Sequence, residues 1–142
     1  MITVLAGGVG AARLLAGLVQ VLPPSEVTAV VNTGDDLIMH GLYISPDLDT
    51  VTYTLAGANN PETGWGLVGE TWQAMGSLDR YGGDTWFNLG DVDLGTHLYR
   101  TGRLASGAGL AAVTAEVAAG WGLESTLLPM TEDRVVTKVT LA

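Results

Sequence analysis

Residues Ile2 to Ala6 form a short, nearly continuous apolar run that ends directly in Gly7-Gly8-Val9-Gly10. Such a run reads as a strand buried on both faces. The glycines turn the chain into a helical pattern that sets Leu14, Leu15, Leu18, Val21 and Leu22 on one stripe. Pro23-Pro24 ends that helix, because proline lacks an N–H and restricts the residue before it. Val27 to Val31 is a second buried strand. Strand, glycine turn, helix and strand make a parallel crossover unit. That unit commits the chain to an α/β architecture with a mostly parallel sheet.

Beyond it, Asn32 to His40 reads as a polar loop without helical period. Ser45-Pro46-Asp47 is a helix start: Ser45 as N-cap, Pro46 in the first helical position, Asp47 in the first turn. Leu48, Val51 and Leu55 form the inner face and Gly57 the stop. A loop-rich stretch over 58–69 precedes a helix from Glu70 to Leu78. Asp91 is read as the cap of a helix running to about Leu104, and an Ala-rich helix from Ala108 to Ala119 ends at Gly120. Leu123 to Leu128 and Val135 to Leu141 read as strands. The alternation continues almost to Ala142, so residues 1–142 are expected to be one domain and a fragment of a longer one.

Composition narrows the chemistry. The chain has no cysteine, which excludes a thiolate metal site, a disulfide framework and a cysteine nucleophile. Its 142 residues hold 6 Lys+Arg against 15 Asp+Glu, a net charge of −9, with Lys138 the single lysine. Such a surface is a poor match for nucleic acid or an anionic membrane. No apolar run reaches the roughly 18 residues of a membrane span, and a soluble cytoplasmic protein is expected.

Three constellations remain. The glycine loop lies between strand and helix, where backbone N–H groups hold phosphates. It matches neither common fingerprint. Counting a dinucleotide motif from Gly8 puts Arg13 at the final small-residue position, and no Gly-Lys pair exists for a Walker-type loop. The second constellation is Asn32-Thr33-Gly34-Asp35-Asp36 with the later Asp47 and Asp49. In an open parallel sheet, ligands bind beyond the carboxyl ends of the strands, where both the glycine loop and Asp35-Asp36 must fall. Adjacent carboxylates repel unless a cation lies between them, and hard oxygen ligands suit Mg²⁺. Asp47 is explained as a helix-terminus charge, whereas Asp49 lies past the best capping position. The third stretch runs from Trp86 to His97. Asp93 and His97 are four apart on one helical face, and Arg100 follows three later. A Ser-His-Asp hydrolase is disfavoured by the lack of a Gly-x-Ser-x-Gly elbow.

Five ordered blocks, AGGVGAARLL, VVNTGDD, HGLYISPDLDTVTYTLAG, WFNLGDVDLGTHLYRT and LLPMTED, resemble the 2-phospho-L-lactate transferase family of coenzyme F(420) biosynthesis. The Gly-Gly-Val-Gly form is similar to the actinobacterial branch, which uses a phosphoenolpyruvyl donor. The resemblance implies an incomplete Rossmann-like three-layer α/β/α fold and a Mg²⁺-dependent transfer. A phospholactyl or phosphoenolpyruvyl group would pass from a guanosine-diphosphate-linked donor to the deazaflavin Fo, releasing GMP, in a homodimeric enzyme. It also implies site roles. Gly7, Gly8 and Gly10, with Asn32 and Thr33, would line the nucleotide region. Asp35 and Asp49 would be catalytic and metal residues, with Asp36 a further metal candidate. Asp49 and Asn88 would face the deazaflavin, and His97 would complete the substrate contacts. Family enzymes are about twice as long, so this chain as a whole molecule is expected to be weakly active or inactive. The competing reading is a non-catalytic nucleotide- or phosphate-binding protein on the same fold, which would have no need of an acceptor wall from Trp86 to His97.

Overall fold

In a computed structural model, which describes residues 1–140, the opening crossover consists of strand β1 (Ile2–Ala6), helix α1 (Val9–Leu18) and strand β2 (Val27–Val31). The two strands run parallel, with Ile2 opposite Val27 and Ala6 opposite Val31. Strand β5 (Thr126–Pro129) adds to the other side of β2, also parallel, giving the order β1-β2-β5. A parallel α/β sheet is therefore present as expected.

The helix after the glycine loop is shorter than its hydrophobic stripe. It ends at Leu18, five residues before Pro23. Ala12 and Leu15 are buried, with Leu18, Val19 and Leu22 packed against the same core. Leu14 is 57% exposed, and Val21, beyond the end of the helix, is 77% exposed.

Pleating places Val4, Ala29 and Leu127 on one face of the sheet and Leu5, Val30 and Leu128 on the other. The first face packs under α1, α2 (Pro46–Leu55) and α5 (Leu110–Gly120) to form the main core. On the second face Leu5 is 84% exposed. Among the described residues, no helix belongs to that side's core, so one helical layer of the expected three-layer sandwich is seen.

Two elements differ from the sequence reading. Residues 37–44, within and just beyond the expected loop, contain a hairpin of β3 (Leu37–Met39) and β4 (Leu42–Ile44). Its two-residue turn has His40 at φ 53° and Gly41 at φ 77°, the left-handed pair of a type I′ turn. His40 is thereby a turn residue. The expected strand from Val135 to Leu141 is absent over 135–140, and Leu141 lies outside the described residues. A strand needs a neighbour's ladder; this segment makes a single backbone bond to the acidic loop, from Thr137 N to Gly34 O at 2.8 Å.

The hairpin, α3 (Gln73–Arg80) and the start of α4 (Asp93–Ala105) close a second, smaller core around Met39, Ile44, Met75 and Leu89. The seam between the two cores holds the cavity described next.

Candidate functional site

Two polar clusters meet at the carboxyl end of the sheet. The first forms around Asn32, just after β2. Its side-chain oxygen accepts the Gly34 N–H at 3.0 Å, while its amide nitrogen donates to Asp47 Oδ2 at 2.9 Å and to Asp35 Oδ2 at 3.3 Å. Two carboxylates thus converge on one amide group. Asp47 also reaches the glycine loop: a Cβ added to Gly8 would lie 2.6 Å from Asp47 Oδ1. Gly8 is the glycine that this contact demands, whereas Gly7 and Gly10 face open space. Helix α1 begins at Val9 without a side-chain cap. A phosphate bound there would face the Asp47 carboxylate and be repelled by it unless a cation intervened.

Asp36 and Thr33, from the same loop, point elsewhere. Asp36 is buried, accepts the Ser45 hydroxyl at 2.8 Å and leaves its other oxygen without a protein partner. Burial pushes its carboxyl up to about 7, against the opposing pull of Ser45 and Arg100. Ser45 flanks α2 as expected but spends its hydroxyl on Asp36 and not on the helix amides. The Thr33 side chain is likewise buried and unpartnered.

The second cluster lies between α2 and α4. Asp49 and Tyr53 are four apart on α2; Asp93, His97 and Arg100 share one face of α4. The Arg100 guanidinium reaches both oxygens of Asp49, with Nη1 at 3.2 Å from Oδ2 and Nη2 on Oδ1. Asp49 is 5% exposed and His97 1%. The His97 Nε2 atom stands 3.1 Å from Asp93 Oδ2, and Arg100 Nη1 stands 3.3 Å from His97 Nδ1. A carboxylate accepts and a guanidinium donates, so the network assigns the proton of neutral His97 to Nε2. The Tyr53 hydroxyl donates to Asp93 Oδ1 at 2.6 Å and lies 2.8 Å from the Thr96 hydroxyl.

The electrostatics follow from burial and pairing. Burial raises the Asp49 carboxyl, opposed by Arg100 and His97. Arg100 is raised by Asp49 despite its own burial. These directions favour opposite states of one pair. The guanidinium decides, since it stays charged at any ordinary pH and forks onto both oxygens, so Asp49 is a carboxylate at neutral pH. Burial also pulls Asp93 upward, but the hydrogen bonds from His97 and Tyr53 prevail and its pKa is lowered. The Tyr53 phenol is raised by burial and by the two carboxylates, which keeps it a donor.

A cavity of about 220 Å³ opens over this second cluster, with Asp49, Tyr53, Asp93 and His97 in its polar wall and Asp47 at the edge shared with the glycine loop. Part of its lining is aromatic. Trp65 stacks on Phe87 at 6.3 Å between centroids and 21° between planes, and Trp86 leans on Phe87 at 5.5 Å. Asn88 lines the cavity beside Phe87.

The structure therefore gathers Asp49, Asn88 and His97 around one cavity, and places Gly7, Gly8, Gly10, Asn32 and Asp35 at the adjoining loop end. It does not unite Asp35, Asp36 and Asp49 as a metal set, since Asp36 is committed to Ser45 and Asp49 to Arg100. Asp47 lies in the first turn of α2, as read from sequence, and also shares the Asn32 amide with Asp35. Tyr53 was missed; its signal was the four-residue spacing from Asp49. Asp49, Asp93 and His97 offer ligand atoms within 4.8 Å of one another, but Asp49 is already paired with Arg100, and Asp93 with His97 and Tyr53.

The model of the family described as 2-phospho-L-lactate transferase CofD matches residues 2–142. The chain belongs to the CofD family. Curated relatives include a phosphoenolpyruvate transferase of Nocardia farcinica, 52% identical over 97% of this chain and 42% of that protein. Another, from Streptomyces griseus, is 51% identical over 97% of this chain and 44% of its own length. A phosphoenolpyruvate transferase of Mycobacterium tuberculosis is 46% identical over 99% of this chain and 46% of the relative. The chain spans less than half the length of these CofD-family relatives. Among the described residues, no helix is long and apolar enough to cross a membrane.

Proposed function

We propose that this chain carries the acceptor pocket and the phosphate-facing loop of a transferase that modifies the deazaflavin Fo. The transferred group is phosphoenolpyruvyl or phospholactyl, supplied by a guanosine-diphosphate-linked donor. The names of the curated relatives favour the enolpyruvyl form. In the reaction, a ribityl hydroxyl oxygen of Fo bonds to the donor phosphorus that bears the organic acid. The bond from that phosphorus to the oxygen of GMP breaks, GMP leaves, and the hydroxyl proton passes to solvent water. Transfers of this kind depend on in-line placement and charge neutralisation more than on a protein nucleophile.

One observation carries the reading: an aromatic-walled cavity with a polar floor directly adjoins a glycine loop edged by paired carboxylates. Trp65 and Phe87 suit a flat heteroaromatic ring. Asp49 and Asp93 suit the hydroxyls of a ribityl chain, with Arg100 offsetting the charge of Asp49. A binding protein for nucleotide alone leaves the aromatic wall without a role.

Magnesium belongs to the same proposal. Asp35 and Asp47 present hard oxygen ligands on a shared amide, the kind of partial set that Mg²⁺ completes with substrate phosphates. Bound there, the ion would supply neutralisation that six basic residues among fifteen acids cannot. The homodimer expected of the family is part of this proposal.

The test is direct mixing. Fo fluorescence is expected to be quenched on adding the protein, and less so by Trp65→Ala. Adding donor and Mg²⁺ to the chain together with the remaining length of a relative is expected to release GMP. Absence of quenching by the wild-type chain at saturating protein overturns the acceptor assignment.

A further inference from the structure

Glu70 stands three residues before α3 and Asp91 two before α4, yet neither caps the helix it precedes. The Glu70 carboxylate accepts the Val92 N–H at 2.8 Å and the Asp93 N–H at 2.9 Å, at the start of α4. The Asp91 carboxylate accepts the Gln73 N–H at 2.9 Å and the Ala74 N–H at 3.0 Å, at the start of α3, together with the Thr71 hydroxyl. Each acid satisfies the orphan amides of the other's helix and lies at its favourable end. A backbone bond from Asp91 N to Thr71 O at 2.9 Å ties the same two strips of chain. Gly90 is buried where the exchange occurs, and a Cβ there would overlap the Glu70 carboxylate.

We propose that this exchange is a clasp that sets the geometry of the acceptor pocket, with Glu70 as a positioning residue that acts through Asp93. The proposal rests on the acceptor reading given above. The loop leading into Glu70 carries Trp65, and the loop leading into Asp91 carries Phe87 and Asn88, so the clasp joins the two strips that together build the aromatic wall of the cavity. The Trp65–Phe87 stack is their second attachment. Asp93 is then fixed from two directions: its backbone N–H by Glu70, its carboxylate by His97 and Tyr53. Release of the backbone end lets Asp93 and the aromatic wall move apart.

The chain holds its own control. Glu132 caps α5 from a distance in the same way, accepting the Leu110 and Ala111 amides, and it does not line the acceptor cavity. The experiment compares Glu70→Ala, Glu70→Gln and Glu132→Ala in the full 142-residue chain. Hydrogen exchange reports the caps, Fo fluorescence reports affinity, and ¹⁹F NMR of fluorotryptophan-labelled protein reports the Trp65 environment, assigned through Trp65→Phe. Glu70→Ala is expected to free the Val92 and Asp93 amides, move the Trp65 resonance and weaken Fo binding about tenfold. Glu70→Gln, which keeps one acceptor oxygen, is expected to fall between. Glu132→Ala is expected to free Leu110 and Ala111 while leaving Trp65 and Fo affinity unchanged. The clasp is overturned if Glu70→Ala leaves the Trp65 resonance in place, or if Glu132→Ala weakens Fo binding equally. If the wild type binds no Fo, the acceptor reading fails, and the Trp65 resonance still decides whether the clasp shapes the pocket.

Discussion

Replacing Arg100 with methionine isolates the electrostatics on which the proposed acceptor pocket is built. Methionine keeps much of the side chain's length and removes its charge. Asp49 then remains 5% exposed with no cation on either oxygen. Breaking a buried pair by removing one partner costs about 3–5 kcal/mol. The Tyr43 carbonyl and His97 Nδ1 each lose a donor as well, at about 1 kcal/mol apiece, which places the expected loss toward the upper end. Against a total stability of about 5–15 kcal/mol for an ordinary domain, that is a large share. The loss must also depend on pH. Burial alone already raises Asp49, and without the guanidinium its folded-state pKa stands further above the unfolded value of about 3.9. A carboxyl raised on folding favours the native state below its unfolded pKa, and that advantage disappears as pH rises through the folded one. The Arg100→Met deficit should therefore be largest at pH 7.5 and shrink toward pH 4. Adding Asp49→Asn should restore most of the loss at neutral pH and flatten the profile. Urea unfolding of the four proteins of the cycle at several pH values gives the answer. A deficit under about 1 kcal/mol, far below that expected for a broken buried pair, or one that does not vary with pH, would refute the argument.

Asp36→Asn should stabilise the protein at pH 8 and make little difference near pH 4. The Asp36 carboxyl is raised to about 7 by burial, so the wild type bears an unfavourable charge only as pH climbs through that value; thermal melts across pH 4–8 test this. Gly8→Ala should push Asp47 off the loop, because the new methyl would lie 2.6 Å from Asp47 Oδ1. Weaker Mn²⁺ binding by paramagnetic resonance is expected for Gly8→Ala, while Gly7→Ala and Gly10→Ala, which meet only open space, should bind as the wild type does.

What could be read in the sequence was what is local. The crossover unit was legible because buried strands and a glycine turn are written in consecutive residues. The hairpin was not, since His40-Gly41 lacks the Asn-Gly or Asp-Gly signature of such turns and its strands are three residues each. Residues 135–140 show the converse: alternation supplied a strand pattern where no neighbour supplies a ladder. Asp49, Asn88 and His97, which line the cavity, were singled out from their motifs. Arg100 is 51 residues from the Asp49 that it neutralises, a pairing that spacing cannot reveal. Asp47 was passed over because a first-turn aspartate already has a sufficient explanation. Asp91 was read as capping the helix that follows it, and only the fold shows that Glu70 does so from 22 residues away.

The central claim is that a divalent cation held by Asp35 and Asp47 offsets the charge of a diphosphate at the glycine loop. Calorimetric titration of GDP into the protein, with Mg²⁺ and then with excess chelator, tests it most directly. Binding heat should appear with Mg²⁺, vanish with chelator, and be lost in Asp35→Asn/Asp47→Asn. Equal GDP affinity under chelation, retained when both carboxylates are neutralised, would contradict it.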